Sequence, residues 1–333
     1  MDSSPALNLP KVDFKPRRLG HVNLFVGDLE ESTSFYTEVA GIELVRREPG
    51  IDAVFVSNGN THHDIGLMQC KGGAVRSGRG GYVQASSYRG EAPGLNHLAW
   101  EMESEAVLVE RLRHGVDKGL KIQFSADHLI SHSAYIADPE GNYHEFYADA
   151  TEDWRAIFNP EREDLVTANW DWRTIKNPLG PMPVDPNDSR RVEDAMFHPR
   201  RITRAVLAAE TPAVEAFISE VGGLKQVATK KGVSAYQAES TGYDLLIVPA
   251  ATVPGPGLVG FSLQVEDLDD LQCSINAARD RGFEITVTDT PAKLSAVLRD
   301  PDGLAVEFYH PKGDDTLSDL PVPGDGVLWV FQG

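Results

Sequence analysis

Apolar and polar side chains alternate from residue 21 to residue 26: Val22, Leu24 and Val26 share one face, and His21 and Asn23 share the other. That period predicts a half-buried strand whose histidine points away from the apolar side. Asp28 is placed to cap a following helix in which Phe35 and Val39 lie four apart, and Gly41 marks its stop before the β-favouring run Ile42-Glu43-Leu44-Val45. The same order recurs downstream. Residues 95–100 read as a strand and 104–118 as a helix, with strands at 133–136 and 144–147 around the turn Asp138-Pro139-Glu140-Gly141. Further helices are predicted near 212–221 and 268–281.

These units belong to an internal repeat. Arg18-Leu19-Gly20-His21-Val22 corresponds to Arg201-Ile202-Thr203-Arg204-Ala205. Thr61-His62-His63-Asp64 corresponds to Thr241-Gly242-Tyr243-Asp244, and Asp138-Pro139-Glu140-Gly141 to Asp300-Pro301-Asp302-Gly303. Each half divides again, giving four β-α-β-β-β units that open near His21, His97, Arg204 and Gly260. The expected fold class is α+β, with four βαβββ modules paired into two similar domains. Residues 1–150 form the chemistry-bearing domain, 151–200 a connector, 201–312 a degenerate domain without a metal, and 313–333 a tail. The connector carries Trp154, Trp170 and Trp172 among several prolines, so it reads as a strap packed across both halves rather than a free tether.

Composition narrows the possible partners. Across 333 residues, 41% are hydrophobic and 24% charged, a globular balance, and the apolar runs fall short of the roughly 18 residues a membrane span needs. The formal net charge of −19 would repel a phosphate backbone, so nucleic acid is not an expected partner. Cys70 and Cys273 are too few for a disulfide framework or a thiolate metal cage. With no readable secretory signal, a cytoplasmic location is expected.

Eight of the ten histidines precede residue 150. His21 opens the first module, His97 opens the second, and Glu145 lies near the second module's last strand. Pairing of the two modules would bring these side chains to one cavity as a two-histidine, one-carboxylate set. Such a set covers one face of a divalent metal and leaves other positions open. It suits Fe(II), and manganese or zinc would also accept it. The duplicated half acts as a control: Arg204 stands where His21 does, Gly260 for His97, Tyr243 for His63 and Val297 for Tyr135, whereas Glu307 still matches Glu145. Residues needed only to build the module should survive in both halves.

The segments Gly20-His21-Val22-Asn23-Leu24, Asn60-Thr61-His62-His63-Asp64-Ile65 and Leu95-Asn96-His97-Leu98-Ala99 are similar to the vicinal oxygen chelate superfamily. So is the stretch from Asp127-His128 through Tyr135 to Asp138-Pro139-Glu140-Gly141-Asn142-Tyr143-His144-Glu145. Within that superfamily they most resemble type I extradiol ring-cleaving dioxygenases of the catechol 2,3-dioxygenase kind, though with the metal in the first half rather than the second. The resemblance implies an enzyme in which His21, His97 and Glu145 hold Fe(II), with Mn(II) the other candidate. A small aromatic diol and O2 would be its substrates, and the assembly a homo-oligomer. It further implies His63 as acid/base, Tyr135 as a hydrogen-bond donor to the substrate oxygen, and His128 as a second donor or pocket residue. His62 is expected to face away from His63, His144 to point outward into solvent, and residues 71–92 to form a flap. A glyoxalase-type isomerase or lyase, and a metal-free ligand-binding protein of the same fold, are the rival expectations.

Overall fold

The computed structural model of the chain describes residues 9–85, 89–159, 161–182, 189–240, 242–313, 320–324, 326 and 328–332. The first module runs β1 (Arg18–Val26), α1 (Leu29–Ser34), β2 (Leu44–Arg47), β3 (Ala53–Val56) and β4 (Ile65–Gln69). Asp28 accepts from the backbone N–H groups of Glu30 and Glu31, and α1 continues as a π-helical turn over Phe35–Val39. A hairpin of β5 (Val75–Ser77) and β6 (Val83–Ala85) follows. The second module is β7 (Gly94–Glu101), α2 (Glu105–Asp117), β8 (Phe124–Asp127), β9 (Ser131–Ala137) and β10 (Tyr143–Asp149).

The connector contains α3 (Trp154–Ile157) and β11 (Ala168–Asn169). After it come β12 (Pro199–Ala209), α4 (Pro212–Glu220), β13 (Lys225–Lys230), β14 (Val233–Gln237) and β15 (Leu245–Pro249). The fourth module is β16 (Gly257–Val265), α5 (Leu268–Asp280), β17 (Thr286–Asp289), β18 (Lys293–Arg299) and β19 (Ala305–Pro311).

Each half is one sheet made of two modules joined edge to edge. The orders are β11-β8-β9-β10-β7-β1-β4-β3-β2 and β13-β14-β15-β12-β16-β19-β18-β17. In both, the opening strands of the two modules run antiparallel at the centre, and each also pairs in parallel with the last strand of its own module. The apolar faces of the opening strands, including Val22, Leu24, Leu98 and Trp100, join Leu207, Phe261 and Leu263 in a shared core beneath the helices.

The halves are tied reciprocally. Glu140, in the first half's Asp-Pro turn, accepts from the N–H groups of Glu210 and Thr211 ahead of α4, while Asp302, in the matching turn, accepts from Gly27 N ahead of α1. Tyr36 also donates to Asp300 at 2.8 Å. The connector binds both halves: β11 pairs with β8, Phe197 N donates to Val39 O, and Phe197 stacks on Phe308 at 4.1 Å. Gly41, at φ +74, lets the chain turn under the carbonyl of Phe197, where a Cβ would collide.

Candidate metal centre and substrate cavity

The metal-binding candidates sit on three adjacent central strands. His21 of β1 and Glu145 of β10 both lie in register with Ala99 of β7, and His97 lies two residues before Ala99 on the same face. Alanine between them leaves room for the three side chains to converge. His21 Nε2 is 3.0 Å, and His97 Nε2 2.9 Å, from the same oxygen, Glu145 Oε2. All three residues are buried, at 0%, 6% and 3% exposure.

The electrostatics are compatible with a metal ligand set. Burial holds the His21 imidazole down to about 4 despite the pull of Glu145, so the ring is neutral near pH 7, the form that ligates a metal. Burial pushes the Glu145 carboxyl up, but the close polar contacts of the His21 and His97 rings outweigh it and leave it well below the usual carboxylate range. Ligand atoms bonded to one metal at about 2.0–2.2 Å and at right angles stand about 3 Å apart, which matches the observed spacing. The donor set therefore fits a divalent ion.

His63, in the loop between β3 and β4, packs against His21 with ring centroids 3.9 Å apart, and its Nε2 is 3.2 Å from Asn23 Oδ1. Burial, with His21 and His62 beside it, keeps this imidazole well below its ordinary value. With Nε2–H donating to Asn23, Nδ1 carries the lone pair, and no hydrogen-bond partner reaches it among the described residues. His128 and Tyr135 come together from β9 and the turn before it: His128 Nε2 lies 3.3 Å from the Tyr135 hydroxyl and Nδ1 3.1 Å from Thr167 Oγ1. Burial lowers His128 to about 4.

These groups line one cavity of about 370 Å³, together with Asn23, His97 and Glu145. Phe55, Phe124 and Phe158 supply aromatic walls, and Tyr82 to Ala85 close part of the rim. Within the segment 71–92 expected as a flap, the β5–β6 hairpin borders the cavity through Tyr82 to Ala85; residues 86–88 of that expectation lie outside the described residues.

Two expectations from the sequence need correction. His62 does not face away from the site, because residues 61–64 form a bent loop rather than a strand. Its ring packs against His63 at 4.7 Å and His21 at 5.5 Å, and it lines the same cavity. His21, His62 and His63 form a second cluster of metal-ligand spacing. His144 is not solvated but fully buried, accepting from Trp100 Nε1 at 3.1 Å and stacking near Phe217 of α4. Alternation sent it to the face opposite Glu145, but that face is covered by the other half.

Sequence reasoning also missed the connector's share of the cavity, where Phe158, Val166, Thr167 and Asn169 form a wall. Buried Glu48, paired with Arg46 at 2.8 Å, is a further lining residue. Only spatial neighbourhood reveals these residues, since none lies in a motif.

In the second half the equivalent positions hold different chemistry. Glu307 pairs with Lys293 at 2.8 Å and accepts from Ser295 Oγ at 2.6 Å. The register that sets Glu145 beside Ala99 sets Glu307 beside Ser262, which places Gly260 at the site of His97 and Arg204 at that of His21. Phe331 of the tail fills the space over Gly260, where a Cβ would lie 2.8 Å from its ring. A lysine thus supplies a cation to Glu307, and an aromatic ring fills the space over Gly260.

Residues 18–146 match the family model of the Glyoxalase/Bleomycin resistance protein/Dioxygenase superfamily. The match covers 129 of the 333 residues. A catechol-2,3-dioxygenase from Bacillus subtilis (strain 168) is 49% identical over 49 residues, covering 15% of this chain and 17% of that protein. Biphenyl-2,3-diol 1,2-dioxygenase 3 of Rhodococcus globerulus is 26% identical over 132 residues, covering 40% and 63%. The alignments therefore span less than two thirds of either relative. Among solved structures, the 2,3-dioxygenase LapB from Pseudomonas sp. KL28 superposes with a TM-score of 0.62 at 16% identity, covering 92% of this chain and 96% of that one. A Mn(II)-bound glyoxalase from Novosphingobium aromaticivorans gives 0.60 at 16% identity, covering 91% and 85%. At these identities the superpositions establish the fold.

Proposed function

We propose that the protein is an Fe(II)-dependent extradiol dioxygenase that opens a catechol-type ring beside its two hydroxyls and incorporates both atoms of O2. The observation that carries this reading is the buried triad of His21, His97 and Glu145, which opens on an aromatic-walled cavity that also holds His63, His128 and Tyr135. Bound by the triad, a ferrous ion would stabilise the deprotonated diol as a Lewis acid and leave positions for dioxygen.

The chain's own residues supply the rest. Phe55, Phe124 and Phe158 exclude water and hold the ring. His63, neutral with a free Nδ1 lone pair, takes the diol proton as it binds and returns it during ring opening. Tyr135 and His128 form a donor pair that orients one substrate oxygen.

The isomerase reading is supported by the glyoxalase superposition. Such sites use additional acidic ligands, whereas Glu145 is the only acid in either metal-spaced cluster among the described residues. Asp64, the nearby alternative, accepts from Asn58 N at 2.9 Å and is held by that loop. Anaerobic loading with Fe(II) followed by a panel of catechols tests the assignment. One O2 consumed per diol, with a yellow ring-opened product, is expected. Isomerisation of a thiol hemiacetal by the nickel- or zinc-loaded protein, without O2 uptake from any catechol, would replace it.

A further inference from the structure

A neutral imidazole ligates through one nitrogen when the other holds the proton, so an acceptor at the far side of a metal-binding histidine favours the ligating form. For His97 that acceptor is its chain neighbour: Asn96 Oδ1 lies 2.9 Å from His97 Nδ1. This contact leaves Nε2, the atom beside Glu145, with the lone pair.

The orientation of the Asn96 amide is itself fixed. Arg89 Nη2, which can only donate, reaches Asn96 Oδ1 at 3.1 Å and the Asn96 carbonyl at 2.8 Å. A guanidinium on one side and an imidazole N–H on the other both require oxygen at that position. The amide nitrogen is turned toward Met68 Sδ, 2.9 Å away. Arg89 is held in turn, its guanidinium lying 3.6 Å from the ring centroid of Tyr143, the residue in register with His97 on β10. The relay disappears where the ligand disappears: the duplicated half has Val259-Gly260 in place of Asn96-His97.

We propose that Asn96, locked by Arg89, is a positioning residue that selects the ligating tautomer of His97 and so sets the affinity of the site for its metal. The proposal rests on the reading of His97 as a metal ligand.

The test compares Asn96→Leu, which removes the acceptor at similar volume, with Asn96→Asp, which keeps it. Each full-length variant is titrated anaerobically with Fe(II), and separately with Co(II), against a chromophoric chelator, and the visible spectrum of the Co(II) form is recorded. Loss of such an outer contact typically weakens binding about 10- to 100-fold, which is the loss expected for Asn96→Leu, with an altered Co(II) spectrum; Asn96→Asp should stay within about threefold of the parent. Equal binding by Asn96→Leu and parent, or equal weakening in both variants, overturns the proposal. Should Asn96→Leu fail to fold, Arg89→Met decides: a drop of about threefold or more, from an amide now free to flip, supports the relay, and unchanged affinity overturns it. A parent that takes up neither ion removes the metal reading itself, a distinct result.

Discussion

Glu145 Oε2 stands about 3 Å from two imidazole nitrogens, a crowding that a lone ion pair does not need and a shared cation explains. At this scale the predictions separate ligands from bystanders. His97→Ala should abolish metal retention and activity, whereas His310→Ala, which removes only a contact to the carbonyl of Val265, should change neither, as metal analysis and O2 uptake would show. His63→Ala should keep its metal yet lose about 10²- to 10⁴-fold in turnover, the usual range for a lost acid/base group. His21 and His97 stand out in the sequence because β alternation and the duplicated half together set them apart from the scaffold, and the structure brings both beside Glu145. His62 and His144 were misread for opposite reasons. One sits in a loop where alternation does not apply, and the other sits on a strand whose outer face is covered by a helix from the other half.

At the scale of elements, the modules could be read in advance because their signals are local: Asp28 and Ser104 cap α1 and α2, and apolar periods mark the central strands. The segment 71–92 could be marked in advance, but the wall of Phe158, Val166, Thr167 and Asn169 and the packing of Phe331 against the second sheet could not, because they act through contacts distant in sequence. In its described residues the end of the tail is a buried plug. Trp329, Val330 and Phe331 are each 2% exposed and pack with Val206, Val233, Leu246 and Val248 against the second sheet. Phe331→Ala should therefore cost about 3–5 kcal/mol, read as a shift in denaturant midpoint at unchanged slope. A change below about 0.5 kcal/mol would show that the tail is not part of the core.

In the whole molecule, duplication has produced two sheets of one topology, one carrying a metal-spaced triad and the other a lysine–glutamate pair. The reciprocal ties made by Glu140 and Asp302 fit that symmetry, but Tyr36 and Asp300 break it. Burial lifts Asp300 to about 6 even though Tyr36 donates to it. Because the folded value lies above the unfolded one near 3.8, the fold holds this proton more tightly than the unfolded chain does. Its contribution to stability is therefore fully present below about pH 4 and is lost as pH rises toward 6 and beyond. Asp300→Asn should remove that loss, gaining up to about 3 kcal/mol over the parent between pH 4 and pH 7 in paired denaturation curves. A difference that does not vary with pH would reject this account of the interface.

The central claim is that one divalent ion sits among His21, His97 and Glu145. Anomalous diffraction at the iron edge, from crystals loaded anaerobically with Fe(II), tests it most directly. One peak per chain is expected, about 2.0–2.2 Å from an imidazole nitrogen of each histidine and from a Glu145 oxygen. A peak coordinated instead by His21, His62 and His63, or one beside Glu307, would contradict it.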